Sequence, residues 1–120
     1  MIIVDTSIWA DHYRQPMADL ENLLDRERII QHPFVTAEMA LGNPRNRQAM
    51  IGFLGSIDQA QVCSSQDLLA FVEAKKLSGT GIGFVDAHLL ASAMRTRCQV
   101  WSRDKRLVAQ ADRLECLFNP

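Results

Sequence analysis

A chain of 120 residues has the length of one domain, and 48% hydrophobic against 22% charged residues is globular composition, neither disordered nor fibrous. Thirteen basic against 14 acidic residues leave a net charge of -1, which argues against a polybasic coat for DNA or for a membrane surface. No apolar run approaches the ~18 residues that span a bilayer. Met1-Ile2-Ile3-Val4 ends at Asp5 with no basic residue before it, so no signal peptide is expected.

In chain order, short apolar runs alternate with helical periodicity, the pattern of an α/β fold around a central, mostly parallel sheet flanked by helices. Ile2-Ile3-Val4 reads as a buried first strand, and 17–26 as an amphipathic helix with Met17, Leu20, Leu23 and Leu24 inward. Ile29-Ile30 makes a second strand that ends near Pro33. Thr36 to Leu41 starts a helix that Gly42-Asn43-Pro44 stops. A helix over 45–57, a third strand at Gln61-Val62-Cys63 and a helix over 65–77 follow. Gly79, Gly81 and Gly83 make a loop into a helix over 85–94. It lacks the G-x-G-x-x-G spacing and follows a helix, so it is read as a connection rather than a nucleotide loop. A strand at Gln99-Val100-Trp101, a short helix over 105–111 and a last strand over 114–118 complete one domain spanning residues 1–120.

Parallel strands joined by helices bind ligands beyond their carboxyl ends. Asp5 directly follows the first strand and Asp104 the Trp101 strand, while Glu38 and Asp86 lie near the starts of helices that lead away from or into strands. Each acid has a structural alternative: Asp5 or Asp86 as a helix cap, Glu38 in a first turn, Asp104 in a turn. Together they stand in apolar surroundings, where unpaired carboxylates are costly. Convergence would raise their pKa values, and a divalent cation removes that repulsion. Oxygen-only ligands suit Mg²⁺ or Mn²⁺ rather than Zn²⁺. Thr6, Ser7 and Ser102 are placed to hydrogen-bond the carboxylates. Such a site without a nucleophile of its own points to phosphodiester hydrolysis by activated water.

The basic residues include only three lysines; the other ten are arginines, the side chain suited to bidentate phosphate contact. Arg45 and Arg47, after the Glu38 helix, and Arg103 and Arg106, flanking Asp104, are the candidate RNA contacts. Cys63, Cys98 and Cys116 are odd in number and form no C-x-x-C pair, so they are read as buried hydrophobes in a reducing compartment, the cytoplasm. Trp9 and Trp101 are assigned to core or dimer packing, His88 to core or surface, and His12 and His32 to the surface.

With Asp5-Thr-Ser, Glu38-Met-Ala-Leu-Gly, Phe84-Val-Asp86-Ala-His and Trp101-Ser-Arg-Asp104 in this order, the sequence resembles the PIN-domain family over nearly its whole length. Within that family it is most similar to the small VapC-type toxins of bacterial and archaeal toxin–antitoxin modules. The resemblance implies a Rossmann-like fold and a metal-dependent endoribonuclease in which Asp5, Glu38, Asp86 and Asp104 hold Mg²⁺ or Mn²⁺, assisted by the hydroxyls of Thr6 or Ser7 and Ser102. It also implies an RNA substrate, a homodimer, no membrane association, and inhibition by a cognate VapB-type antitoxin. Some members carry a further acid after the last Asp, which the stretch 105–111 lacks, so one tightly held ion is expected, with a second, if bound, held weakly. An aspartyl-phosphate phosphatase would need an acid where Ser7 stands, and a receiver domain would need a paired acid beside Asp5. A non-catalytic module gripping RNA or a partner is the remaining alternative.

Overall fold

The computed structural model describes all 120 residues. In chain order the elements are β1 (Ile2–Val4), α1 (Thr6–Arg14), α2 (Ala18–Asp25), β2 (Ile29–Ile30), α3 (Pro33–Leu41), α4 (Arg47–Ser56), α5 (Ser65–Ala74), α6 (Phe84–Thr96), β3 (Gln99–Trp101) and α7 (Lys105–Arg113). The three strands are parallel in the order β2-β1-β3, with Ile3 opposite Ile30 on one side and Val100 on the other. The chain steps from the central β1 to β2 on one flank and then crosses to β3 on the other, a reversal that opens a crevice beyond the carboxyl end of β1. Strands buried on both faces read as unbroken apolar runs, and Ile2, Ile3 and Val4 are all buried.

Helices cover this sheet with a core that includes Ile8, Trp9, Leu20, Leu54, Leu90 and Leu107, each fully buried. Every residue of α6 from Ala87 to Ala93 is buried. Its alanines and serine let the helix lie close to β3 and α5. Trp9 and Trp101 both belong to the core, and all three cysteines are free and buried.

Four expectations change. α1, absent from the expected elements, carries no apolar period, because only Ile8 and Trp9 are buried on it while the semi-polar His12 is half-buried and Tyr13 exposed. These rings pack on each other, Trp9 lying 6.0 Å from His12 and 6.3 Å from Tyr13. The third strand at 61–63 does not form: Val62 is 43% exposed, and only a single parallel bridge, Gln31 to Gln59, extends that edge. The last strand shrinks to a bridge between Val100 and Leu117, held by Cys116 and Phe118 backbone bonds of 2.7 and 2.8 Å. Finally, His32 is not a surface residue. It is fully buried, and its Nδ1 accepts the Phe34 N–H at 3.0 Å as the cap of α3. Burial, and then the neighbouring His88, push its pKa down to about 4, so it is neutral.

Candidate active site

The site grows from the carboxyl ends of β1 and β3. The Asp5 N–H donates to the Trp101 carbonyl at 2.9 Å, carrying the β1–β3 ladder one residue further and bringing Asp5 beside Ser102. Asp5 stands at the N-cap position of α1 yet makes no side-chain cap bond. Its Oδ2 instead accepts the hydroxyls of Ser102 (2.7 Å) and Ser7 (2.8 Å), in a position only 5% exposed. Ser7 also accepts the Arg103 N–H and Ser102 the Asp104 N–H, both at 3.0 Å. Two serine hydroxyls thus tie the loop after β3 to the start of α1 and hold Asp5 in place.

Asp104 caps α7, its Oδ1 accepting the Arg106 and Leu107 N–H groups at 2.9 and 3.2 Å. Glu38 lies in the second turn of α3, because Pro33 begins that helix three residues before Thr36; a first-turn role does not apply. Its Oε1 accepts the Thr6 hydroxyl at 2.6 Å, linking α3 to α1. Asp86 is not a cap residue either: Gly83 occupies the cap position, and Asp86 one turn on accepts the Gly83 N–H at 3.3 Å.

Four separate segments therefore bring Asp5, Glu38 and Asp104 within electrostatic reach of Asp86. Burial raises its pKa first, the Gly83 N–H opposes, and the negative fields of Asp5, Asp104 and Glu38 add to the rise, leaving it at about 6. No lysine or arginine pairs with any of the four, since both ion pairs of the chain are made by Asp11, with Arg14 and Arg103. In donor chemistry and uncompensated charge the set fits Mg²⁺ or Mn²⁺. No three His, Cys, Asp or Glu side chains are gathered tightly enough to enclose an ion, each carboxylate being turned to a hydroxyl or N–H partner.

The candidate RNA-contacting arginines are dispersed. Arg45 lines a cleft of ≈850 Å³ between α1, α3 and α4 together with Thr6, Arg14 and Glu38. Arg47 donates to the Ala40 carbonyl at 3.0 Å. Arg103 and Arg14 share the single carboxylate of Asp11, so that cluster keeps a net positive charge. Arg106 lies across Gly81, whose φ is +85°; a Cβ there would be 3.1 Å from the Arg106 Cδ, a tight contact that the arginine would have to yield to by a few tenths of an ångström.

Ribonuclease VapC32 of Mycobacterium tuberculosis, from strain CDC 1551 / Oshkosh and from strain ATCC 25618 / H37Rv, is 40% identical over 110 residues, covering 91% of this chain and 89% of that protein. The chain belongs to the VapC ribonuclease family. No family model matches it. The crystal structure of PAE2754 from Pyrobaculum aerophilum superposes with a TM-score of 0.65 over 91% of this chain and 83% of that one. At 14% identity that likeness concerns the fold alone.

Beside the acids of this VapC-family chain lies a group that the residue pattern did not reveal. Phe34 and Phe84 stack with ring centroids 5.9 Å apart, and each meets His88 at 4.7 Å. Fifty positions separate the two phenylalanines, so only folding makes them neighbours.

Proposed function

We propose that this chain is a metal-dependent endoribonuclease that hydrolyses RNA phosphodiesters with Mg²⁺ or Mn²⁺, as the toxin of a toxin–antitoxin pair. Its identity of 40% to a VapC ribonuclease along 91% of the chain carries the reading. The uncompensated carboxylates beyond β1 and β3 support the chemistry. Asp5, Glu38, Asp86 and Asp104 are the residues that would hold the cation. A bound cation supplies charge to offset the phosphate and lowers the pKa of water.

The chain's own residues do the positioning. Ser7 and Ser102 fix one Asp5 oxygen by two donated hydrogen bonds and leave the other without a hydrogen-bond donor. Thr6 orients Glu38, and the α7 backbone orients Asp104. Asp86, with its carboxyl pushed to about 6, is largely ionised at neutral pH at an energetic cost, which an arriving positive charge would relieve. Arg45, Arg47 and Arg106, with the net positive charge at Arg14 and Arg103, attract the phosphate backbone around the acidic centre.

The family resemblance supports a homodimer, a VapB-type antitoxin as inhibitor and a cytoplasmic setting. Three reduced cysteines agree with a reducing compartment. No helix is long and apolar enough to cross a membrane.

Purified protein incubated with total cellular RNA tests the activity, with Mg²⁺ or Mn²⁺, with chelator, and with Asp5→Asn in parallel. Discrete fragments that disappear with chelator and in the variant are expected. Intact RNA under every condition, from a folded and antitoxin-free sample, refutes the nuclease reading in favour of a binding module.

A further inference from the structure

Phe84 opens α6 two residues before Asp86 and is 63% exposed, an unusual position for a large apolar ring beside a cluster of carboxylates. Phe34 lies on α3 four residues before Glu38, on the same helix face and about 6 Å along the axis from it. The two rings are nearly parallel, with an interplanar angle of 24°, and both meet the buried His88 steeply, at 78° and 74°. His88 is braced from beneath by Cys63 Sγ, 3.6 Å from its Nδ1, and by the buried His32 ring at 5.9 Å. The pair is thus held by buried groups, and a ligand meeting it finds rings already ordered, which reduces the entropy cost of binding. Beyond Phe84 runs a cleft of ≈470 Å³ with Leu69, Val72, Ile82 and Gly83 among its walls, which leaves room for a flat ring.

We propose that Phe34 and Phe84 form a stacking subsite that takes one nucleobase of single-stranded RNA beside the carboxylates. The inference rests on the ribonuclease reading for its substrate and says where one base of that substrate sits. Every base offers a π-face, so the subsite anchors a strand without choosing its sequence, and unstacked single strands present that face where duplexes do not. A chain held there by its base brings the adjacent phosphate toward Glu38, which shares one face of α3 with Phe34.

Binding is read by anisotropy of a short fluorescein-labelled single-stranded RNA in chelator, so that no cleavage occurs. Phe84→Ala is expected to weaken the Kd about 5- to 140-fold, the loss of one base–aromatic stack. Phe84→Tyr, which keeps the ring, is expected to retain affinity. On the same RNA made abasic, wild type and Phe84→Ala are expected to bind equally. Sedimentation velocity and thermal melting of each variant accompany these measurements. An unchanged Kd for Phe84→Ala overturns the inference, and so does an equal loss on abasic RNA, equal weakening by Phe84→Tyr, or no affinity of wild type for single strands. A change of mass with the Kd unaltered assigns Phe84 to a protein contact instead. Should wild type cut no RNA while Phe84→Ala still loses base-dependent affinity, the nuclease reading falls and the stacking subsite stands.

Discussion

Replacing Asp86 with Asn should stabilise the metal-free protein, and the gain should depend on pH. In the folded chain the Asp86 carboxyl titrates at about 6 against an ordinary 3.8, so the folded state holds its proton after the unfolded state has lost it. Below about pH 4 both states are protonated and the penalty is small; it accumulates as pH rises to 6 and is constant beyond. Two units correspond to about 3 kcal/mol, and half-burial of the side chain reduces this to about 1–2 kcal/mol. Asn removes the charge and keeps an oxygen for the Gly83 N–H. The melting temperature at about pH 7.5 in chelator should therefore rise by about 4–8 °C, with little change at about pH 4. Circular dichroism melts at the two pH values measure this. An equal gain at both, or a loss at the higher one, would refute the account of Asp86 as a carboxylate crowded by burial and by Asp5, Asp104 and Glu38. Adding Mn²⁺ supplies the second arm. Wild type should gain about 2.7 kcal/mol at a hundred times the Kd, and the variant much less. Equal gains would remove Asp86 from the ion-holding set.

Asp5→Asn should abolish RNA cleavage while melting at or above the wild-type temperature, since Asn can still accept the Ser7 and Ser102 hydroxyls; a collapsed melt would make Asp5 a structural residue. Acid should destabilise the fold through His32. Its folded pKa of about 4 lies below the ordinary 6.5, so the stability held above pH 6.5 is lost as pH falls toward 4. The loss amounts to about 3 kcal/mol. His32→Asn, which keeps a cap acceptor, should flatten the urea midpoint across that window, and an unchanged slope would contradict the assignment. Gly81→Ala should cost more than Gly79→Ala, because both have positive φ, worth about 1–2 kcal/mol, but only Gly81 has Arg106 against it. The difference should vanish in an Arg106→Ala background. Leu54→Ala, at a fully buried core position, should cost about 2–5 kcal/mol in chemical denaturation.

The strands at Ile2–Val4, Ile29–Ile30 and Gln99–Trp101 were legible because strands of a covered parallel sheet are unbroken runs of apolar side chains. The helices after residue 17 were legible within a few positions through their apolar period and their Gly or Pro stops. α1 was not, because an aromatic stripe ending in His12 and Tyr13 carries its packing in ring contacts rather than in hydropathy. The stretch 61–63 failed in the opposite way. Three residues with one apolar side chain exposed satisfy a local strand pattern but have no partner strand beside them.

The same division holds for the site. Sequence alone set out the four acids and their order as candidates, Asp5 and Asp104 standing out because a carboxylate next to an apolar strand end is anomalous wherever the chain goes. It also determined the hydroxyls of Thr6, Ser7 and Ser102. Only the tertiary structure decided that Asp5 receives two serine hydroxyls instead of capping α1, that Asp104 does cap α7, and that Arg103 is bound to Asp11. Only folding, too, buried His32 and brought Phe34 against Phe84. A residue's type and its immediate neighbours are properties of the chain, whereas the partner that satisfies a polar atom or stacks on a ring comes from a distant segment. That partner is fixed by how the crossovers pack on the sheet.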